Sequence, residues 1–279
     1  MPADALEARL LDACRRLAAG GPCVVCFSGG LDSTVVLAAC LRADLPAAAL
    51  LAVGPSLAEA ERTEARELAA LLGAELVEMA AGETESPSYR ANAGDRCYHC
   101  KSALYRVAAE LAARRFPGAR IFNGAQADDL GDFRPGMRAA EEGGVLAPLL
   151  EAGLGKEAIR ILARRWGLPN AEKAATPCLA SRFPVGTEVT PERLAQVEAV
   201  EAFCRASGLW PARARYHGAV VRLEIARESM ELALREPLRS RLEEACWRAG
   251  FRFAALDLGG IQSGSLSFSL EAGSARAEA

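Results

Sequence analysis

The chain has 279 residues, of which 51% are hydrophobic and 25% charged, so it can bury a core as one large domain or two smaller ones. This composition excludes a disordered chain, a disulfide-stabilised miniprotein and a collagen-like fibre. The 33 basic and 36 acidic residues leave a net charge of −3, which argues against a broad basic surface for nucleic acid.

No stretch reaches the roughly 18 unbroken apolar residues that a membrane-spanning helix needs. The N-terminal sequence MPADALEARL lacks the basic segment followed by an apolar one that is typical of a secretory signal. We therefore expect a cytoplasmic protein that binds neither membrane nor nucleic acid. In that compartment the nine cysteines are expected to be thiols, metal ligands or catalytic groups rather than disulfides.

Helical and strand patterns alternate along the first half of the chain. Helices are predicted over 3–19, from the SGGLDS motif to about 42, over 57–72 and over 98–115. Strands are predicted over 23–28, 47–53, 75–79 and 119–125. Strands separated by helices of this length predict an α/β fold with a parallel, doubly wound sheet and helices on both faces.

The pattern changes after Pro148. A helix is predicted over 155–166, followed by an irregular stretch with three prolines over 169–190. A helix to about 207, strands within 213–226, helices within 228–249 and a strand over 251–256 follow. We predict a nucleotide-binding domain over 1–170, a connector over 171–190 within a smaller α/β domain over 171–270, and a disordered tail over 271–279.

The glycine-rich sequence SGGLDS at 28–33 lies between a predicted strand and a predicted helix. Gly29 and Gly30 let the backbone approach an anion, and the N-terminus of the following helix presents unpaired N–H groups to it. Ser28 and Ser33 add hydroxyl donors. No lysine follows the glycines as in a Walker motif, whereas Asp32 suits a Mg²⁺ ion carried in with pyrophosphate. The alternative is an ordinary turn between strand and helix.

The sequence NGAQADDL (123–130) follows the fourth predicted strand. Parallel sheets bind ligands at the carboxyl ends of their strands, so this loop is expected at the same edge as SGGLDS. Asp128 and Asp129 would hold Mg²⁺ or orient a nucleotide there. For either aspartate alone, a role in the loop or as a helix cap is an equally good interpretation.

The cysteines fall into two groups. Cys23 and Cys26 occupy a predicted strand at an odd offset, which points them to opposite faces, so they cannot share a metal. Four others lie on predicted helices among apolar neighbours and are expected in the core: Cys14, Cys40, Cys204 and Cys246.

The remaining three cysteines are candidates for chemistry. Cys97 and Cys100 in GDRCYHCK enter a helix at i and i+3, so both thiols lie on one side and can chelate. Cys178 in TPCLASRFPVGT lies between prolines in the irregular stretch. Structural zinc prefers four ligands, whereas a 4Fe–4S cluster held by three cysteines would leave one iron open for a ligand such as sulfide.

The sequence RARYHG (213–218) places Arg213, Arg215 and His217 on one face of a predicted strand. Paired arginines suit a phosphate or a carboxylate, and a solvated strand face is the alternative. Glu201 and Glu224 are candidate acid–base carboxylates, although most glutamates are surface residues.

SGGLDS resembles the PP-loop motif of the ATP pyrophosphatase superfamily, whose members cleave ATP between the α- and β-phosphates and adenylate an oxygen. Together with GDRCYHCK, NGAQADDLGDFRPG, TPCLASRFPVGT and RARYHG, it resembles the LarE family over about residues 20 to 265. PCLASR is the most specific of these motifs. The resemblance implies a PP-loop ATP-binding domain followed by a smaller α/β domain that serves substrate binding and sulfur transfer.

The resemblance also implies an activity. Proteins of this family insert sulfur into pyridinium-3,5-biscarboxylic acid mononucleotide on the way to the nickel-pincer nucleotide cofactor of lactate racemase. ATP and Mg²⁺ would bind the following residues: Ser28, Gly29, Gly30, Leu31, Asp32, Ser33, Val53, Gly124, Asp128 and Asp129. The substrate would bind Arg182, Arg213 and Arg215, and the family's catalytic positions fall on Cys178, Glu201 and Glu224. A homo-oligomer and a nickel-inserting enzyme that acts downstream are further expectations.

Sulfur comes by two routes within the family. Either the cysteine of PCLASR is consumed as a sacrificial donor, or that cysteine and the CxxC pair hold a 4Fe–4S cluster that carries sulfide from a sulfur donor. Because Cys97, Cys100 and Cys178 are all present, we favour the cluster.

Other interpretations are a PP-loop enzyme that thiolates a tRNA base, one that amidates another substrate, or a non-enzymatic nucleotide-binding protein with structural zinc. The net charge of −3 disfavours tRNA, and with only two histidines the chain is a poor candidate for a glutaminase.

Overall fold

A computed structural model describes residues 2–131 and 135–261. The chain divides into two compact units, of which one comprises Met1–Tyr89 and Ala93–Pro177 and the other Arg90–Asn92 and Cys178–Ala279. The functional assignment of the two predicted domains stays a prediction. The predicted tail over 271–279, and the end of the predicted second domain, lie outside the described residues.

The first unit contains a four-stranded parallel sheet in the order β3-β2-β1-β4. Its strands are β1 (Cys23–Cys26), β2 (Ala47–Val53), β3 (Glu75–Ala80) and β4 (Arg120–Phe122). The predicted parallel α/β sheet is therefore confirmed. Strands β1 and β4 are shorter than predicted, because the chain leaves the sheet for the two loops that carry SGGLDS and NGAQADDL.

Helices cover both faces of this sheet, as predicted for a doubly wound fold. The helices along this part of the chain are α1 (Ala3–Ala18), α2 (Leu31–Arg42), α3 (Glu59–Leu71), α4 (Pro87–Ala91, whose last two residues belong to the other unit), α5 (Arg96–Arg115), α6 (Pro135–Glu142), α7 (Pro148–Glu151) and α8 (Lys156–Arg165). Cys23 and Val25 of β1 belong to the core formed with α1, α2 and α8, whereas Val24 and Cys26 belong to the core formed with α5. The prediction that Cys23 and Cys26 face opposite sides is confirmed.

The second unit contains a three-stranded sheet in the order β5-β6-β7. Its elements are α9 (Pro191–Ala206), β5 (Ala212–His217), β6 (Val220–Ile225), α10 (Met230–Leu234), α11 (Leu238–Arg248) and β7 (Phe253–Leu256). β5 and β6 form an antiparallel hairpin, and β7 pairs parallel to β6. Thr190 caps α9 by accepting a hydrogen bond from the N–H of Arg193, and Pro191 occupies the first turn, where its missing N–H costs nothing.

Cys14, Cys40, Cys204 and Cys246 are buried, as predicted. Burial raises the pKa of Cys204 to about 12 and that of Cys246 to about 11, so these two thiols stay protonated and unreactive at neutral pH. Among the helices in the described part of the chain, none combines the length and the apolar character needed to cross a membrane.

Candidate functional site

The SGGLDS turn leads from β1 into α2. Gly29 has a φ of +68°, which a glycine adopts without strain, and a Cβ there would lie 3.0 Å from the Cβ of Ala65 on α3. The Ser33 hydroxyl lies 3.2 Å from the backbone N of Ser28, which donates to it, and 3.1 Å from the Gly30 carbonyl, to which it donates. These two hydrogen bonds of the Ser33 hydroxyl therefore stabilise the turn that leads into α2.

Gly124 after β4 packs against the start of α2. A Cβ at Gly124 would lie 3.0 Å from the backbone N of Ser33 and 3.2 Å from the Cβ of Asp32, so only glycine allows this approach. Val53 is the last residue of β2, and Leu31 is buried in the core. The predicted ATP-binding positions Gly124 and Ser28–Ser33 are therefore neighbours at the carboxyl edge of the sheet.

Asp32 forms an ion pair with Lys156, the first residue of α8. The Lys156 Nζ lies 2.7 Å from Oδ1 and 2.9 Å from Oδ2 of Asp32. An ammonium group therefore reaches the glycine-rich turn from a different element of the same unit. This arrangement supplies the cation that the turn lacks in its own sequence.

Asp128 and Asp129 form part of a helical turn, Ala127–Gly131. The Asp128 Oδ2 accepts a hydrogen bond of 2.8 Å from the backbone N–H of Lys156, and a Cβ on Gly155 would lie 2.6 Å from Asp128 Oδ1. Asp128 thus stabilises the N-terminus of α8 and positions the lysine that pairs with Asp32. Asp129 is buried and accepts from the N–H of Gln126. Both aspartates lie near the predicted site, and their direct contact with ATP stays a prediction.

Cys97 and Cys100 lie in the first two turns of α5, where Cys97 is exposed and Cys100 half-buried. The intervening His99 forms a hydrogen bond with Asp95, the residue before the helix, with 3.1 Å between His99 Nε2 and Asp95 Oδ2. Within the described parts of each unit, no three Cys, His, Asp or Glu side chains lie together as a metal site. The cluster with Cys178 stays a prediction.

Cys178 is exposed and directly precedes a short helical turn, Leu179–Arg182, in the second unit. Arg182 is only 2% exposed, and its guanidinium donates to the Cys178 carbonyl at 3.3 Å and to the Ser181 hydroxyl at 2.8 Å. Arg215 donates to the Ser181 carbonyl at 2.9 Å. Two buried arginines therefore hold the backbone of the turn that presents Cys178 to solvent.

The two glutamates predicted as acid–base groups are buried in ion pairs. Glu201 of α9 accepts two hydrogen bonds from Arg182, at 2.7 and 2.9 Å, and a third from the N–H of Ala214 at 2.9 Å. Glu224 of β6 is fully buried, and its carboxylate lies 2.8 Å from Arg215 and 3.2 Å from Arg222. This geometry indicates that both glutamates fix arginines in place, and an acid–base role stays a prediction.

Arg213, Arg215 and His217 occupy alternate positions of β5, opposite Glu224, Arg222 and Val220 of β6. Burial and the cations of Arg215 and Arg182 lower the pKa of Arg213, and burial together with Arg222 and Arg215 lowers that of His217. His217 is therefore neutral at pH 7. The face carries an excess of positive charge, which favours an anion.

The sequence has relatives of similar length. An uncharacterized protein of Synechocystis sp. is 36% identical over 247 residues, which are 88% of this chain and 91% of that protein. The pyridinium-3,5-bisthiocarboxylic acid mononucleotide synthase of Lactiplantibacillus plantarum is 33% identical over 252 residues, which are 88% of this chain and 89% of that enzyme. The chain belongs to the LarE family. It is therefore an ATP-dependent sulfurtransferase.

A family model described as asparagine synthase matches residues 5–96, the part of the LarE-family chain that includes β1, the SGGLDS turn and α2. This match and the parallel sheet together confirm the PP-loop fold and the use of ATP. Residues 28–33 form the PP-loop. An uncharacterized protein of Methanocaldococcus jannaschii is 30% identical over 114 residues, which are 41% of this chain.

Sequence reasoning missed Lys156, although a signal for it was present. Lysine accounts for only three of the 33 basic residues, and Lys156 follows a glycine at the start of an amphipathic helix. In a chain whose basic residues are mostly arginines, a lysine indicates a position where the compact charge of its ammonium group is required. Its partner, however, lies 124 residues away in the sequence, and only the fold brings the two together.

Proposed function

We propose that this LarE-family enzyme converts a carboxylate of pyridinium-3,5-biscarboxylic acid mononucleotide into a thiocarboxylate, for a nickel-pincer cofactor of the lactate racemase type. The observation that carries the proposal is the PP-loop with its Asp32–Lys156 pair, in a chain aligned over 88% of its length with the named synthase. A homo-oligomer, a separate sulfur donor and a nickel-inserting enzyme that uses the product belong to the same proposal.

ATP would bind with its pyrophosphate part on the PP-loop. The hydroxyls of Ser28 and Ser33 lie 3.2 Å apart at the start of α2, where the N–H groups of the first helical turn favour an anion. The ammonium group of Lys156 would leave the Asp32 carboxylate and pair with the phosphates of ATP. The Asp32 carboxylate is a hard oxygen ligand that fits Mg²⁺, which when bound would offset the phosphate charge.

Adenylation makes the carboxylate reactive. A carboxylate oxygen of the substrate attacks the α-phosphorus, the bond to the bridging oxygen breaks, and pyrophosphate leaves. The sulfur nucleophile then attacks the acyl carbon, and AMP leaves with the former carboxylate oxygen. The sum is one thiocarboxylate, one AMP and one pyrophosphate, without oxidation or reduction of the substrate. AMP is a far better leaving group than the oxygen of a free carboxylate.

The phosphate of the mononucleotide would bind at Arg213. Arg182 and Arg215 are only 2% and 4% exposed, so we assign them to positioning Glu201, Glu224 and the backbone of the Cys178 turn rather than to direct substrate binding. Arg213 lies on the same strand face as Arg215, and burial together with the neighbouring cations of Arg215 and Arg182 lowers its pKa. A dianionic phosphate would offset both the burial of this charge and the repulsion.

Replacing Arg213 with glutamine is therefore expected to weaken substrate binding about tenfold or more, which is the loss of one charge-assisted contact, and to spare ATP binding. Isothermal titration with the mononucleotide and with an ATP analogue, measured separately, tests this. The matched control is Arg205→Gln, since Arg205 stacks on Trp210, and it should change neither affinity. An equal loss of both affinities in Arg213→Gln would mean that the phosphate has been assigned to the wrong residue.

Sulfur would be delivered through a 4Fe–4S cluster held by Cys97, Cys100 and Cys178. These are the three cysteines that are not buried, whereas the other six are. Their thiol donors suit iron, and a cluster with three cysteine ligands would offer an open iron for sulfide. The alternative is that Cys178 gives up its own sulfur in a single turnover.

The proposed cluster is tested by measuring iron, acid-labile sulfide and zinc per chain on anaerobically purified protein. The absorption spectrum of the same protein is recorded. We expect about four irons per chain in the wild type and loss of iron in Cys97→Ala, Cys100→Ala and Cys178→Ala. The buried Cys246→Ala is the control, and it should keep the iron.

Two other outcomes contradict the cluster. Bound zinc, together with no pyrophosphate release when ATP and substrate are supplied, would favour a structural metal site in a non-enzymatic protein. Absence of any metal, together with a mass loss of one sulfur from Cys178 after turnover, would establish the sacrificial route.

A further inference from the structure

The segment after α8 returns to the PP-loop through Asn170. This side chain is 6% exposed, and its Nδ2 donates to the Gly29 carbonyl at 3.2 Å and to the Thr34 hydroxyl at 3.0 Å. Asn170 lies 141 residues from Gly29 in the sequence. A buried side-chain amide therefore binds directly to the backbone of the loop on which the ATP phosphates would rest.

The orientation of this amide is determined by its partners. The Gly29 carbonyl can only accept, and the Thr34 hydroxyl uses its hydrogen on the Gly30 carbonyl at 2.9 Å, so it also accepts from Asn170. The Asn170 Nδ2 must face both. An oxygen in its place would be repelled by the Gly29 carbonyl, which makes the amide nitrogen a specific requirement.

The hydrogen bond to Gly29 has a consequence for the next residue. In a planar trans peptide the C=O and the following N–H point in opposite directions. Because Asn170 holds the Gly29 carbonyl, the Gly30 N–H points to the other side of the loop, where it donates to the Ser28 hydroxyl at 3.3 Å. A Gly–Gly peptide has little intrinsic resistance to rotation, so the contacts at its C=O and its N–H determine its orientation.

We propose that Asn170 is a positioning residue that prevents the Gly29–Gly30 peptide from flipping and keeps the Gly30 N–H on the Ser28 side of the loop, where the ATP phosphates would bind. The inference rests on the proposed binding of ATP at the PP-loop. It assigns the residue that keeps this loop in its anion-binding conformation before ATP arrives.

The same segment offers a matched control. Lys173 lies three residues after Asn170 and binds α3, donating to Glu61 at 2.7 Å and to Glu64 at 2.6 Å. A variant at Lys173 loosens the segment without removing the hydrogen bond to Gly29. It therefore separates anchoring of the segment from positioning of the loop.

The test compares Asn170→Ala, Asn170→Asp and Lys173→Gln with the wild type. Affinity for MgATP is measured with a non-hydrolysable analogue by calorimetry between pH 5.5 and 8, and folding is checked by the thermal unfolding midpoint. We expect Asn170→Ala to bind about tenfold more weakly, since it loses one directed hydrogen bond to a charged ligand, and Lys173→Gln to bind within about twofold of the wild type.

Asn170→Asp is expected to be the weakest binder at pH 8, because its carboxylate repels the Gly29 carbonyl and the phosphates. Its affinity should recover as the pH falls and the introduced acid gains a proton that it can donate. The wild type and Asn170→Ala, measured over the same range, account for the protonation of ATP itself. A side chain that only supported the fold would not produce this pH dependence.

Three outcomes overturn the inference. Unchanged affinity in Asn170→Ala, equal loss in Lys173→Gln and Asn170→Ala, or an Asn170→Asp profile parallel to that of Asn170→Ala would each do so. Failure of the wild type to bind the ATP analogue would instead contradict the proposed role of the PP-loop itself, so the two failures are distinguishable.

Discussion

Replacing Asp32 with alanine is expected to lower the rate of pyrophosphate release by about 100-fold or more, the cost of removing one group that stabilises developing charge. Two effects act together. The variant loses the carboxylate that fits Mg²⁺, and it leaves the Lys156 ammonium, 2.7 Å away in the wild type, without its partner. Pyrophosphate measured in single-turnover reactions with ATP and the mononucleotide reports this step before any sulfur is transferred.

The neighbouring variant Glu157→Ala is a suitable control for Asp32→Ala. Glu157 follows Lys156 on α8 and is exposed, so its removal changes the local charge by the same amount without touching the PP-loop. Its rate should stay near that of the wild type. An unchanged rate in Asp32→Ala would contradict the role assigned to this carboxylate.

Replacing Glu224 with glutamine is expected to lower the free energy of unfolding of the second unit by about 3–5 kcal/mol. Glu224 is fully buried against Arg215, whose side chain is 4% exposed, and the variant leaves that guanidinium buried without its counter-charge. Because the chain divides into two compact units, the transition should be followed through Trp210 and Trp247 of the second unit.

The control for Glu224→Gln is Glu231→Gln, which removes an exposed ion pair with Arg235 on α10. Exposed pairs contribute within about 1 kcal/mol, so this variant should unfold nearly as the wild type does. Equal stability losses in the two variants would contradict the stabilising role of the buried Glu224–Arg215 pair.

The sequence was sufficient for features that depend on local patterns. The period of the apolar residues predicted the parallel sheet, and β2 begins and ends where predicted, at Ala47 and Val53. The odd spacing of Cys23 and Cys26 predicted their opposite faces. The helices predicted within 228–249 are α10 and α11, and Pro237, which cannot donate a backbone hydrogen bond inside a helix, lies directly before α11.

The features that the sequence did not reveal depend on contacts between distant residues. Lys156 lies 124 positions from its partner Asp32, and Asn170 lies 141 positions from its partner Gly29. Neither residue belongs to a sequence motif from which its partner could be predicted. The resemblance to the LarE family predicts Glu201 and Glu224 as acid–base groups, and the local sequence gives no sign that both are buried. The structure places both beside arginines, and which of the proposed site residues act on the substrate stays a prediction.

The ion pair between Asp32 and Lys156 has a consequence for the binding selectivity of the PP-loop between MgATP and free inorganic phosphate or sulfate. A small anion without a metal could attract Lys156 only by leaving the Asp32 carboxylate uncompensated beside a second negative charge. In the proposed binding mode, MgATP would bring a cation for Asp32 and an anion for Lys156 in one molecule, so both charges would stay balanced during the exchange. The ion pair would then disfavour a small oxyanion that arrives without a metal.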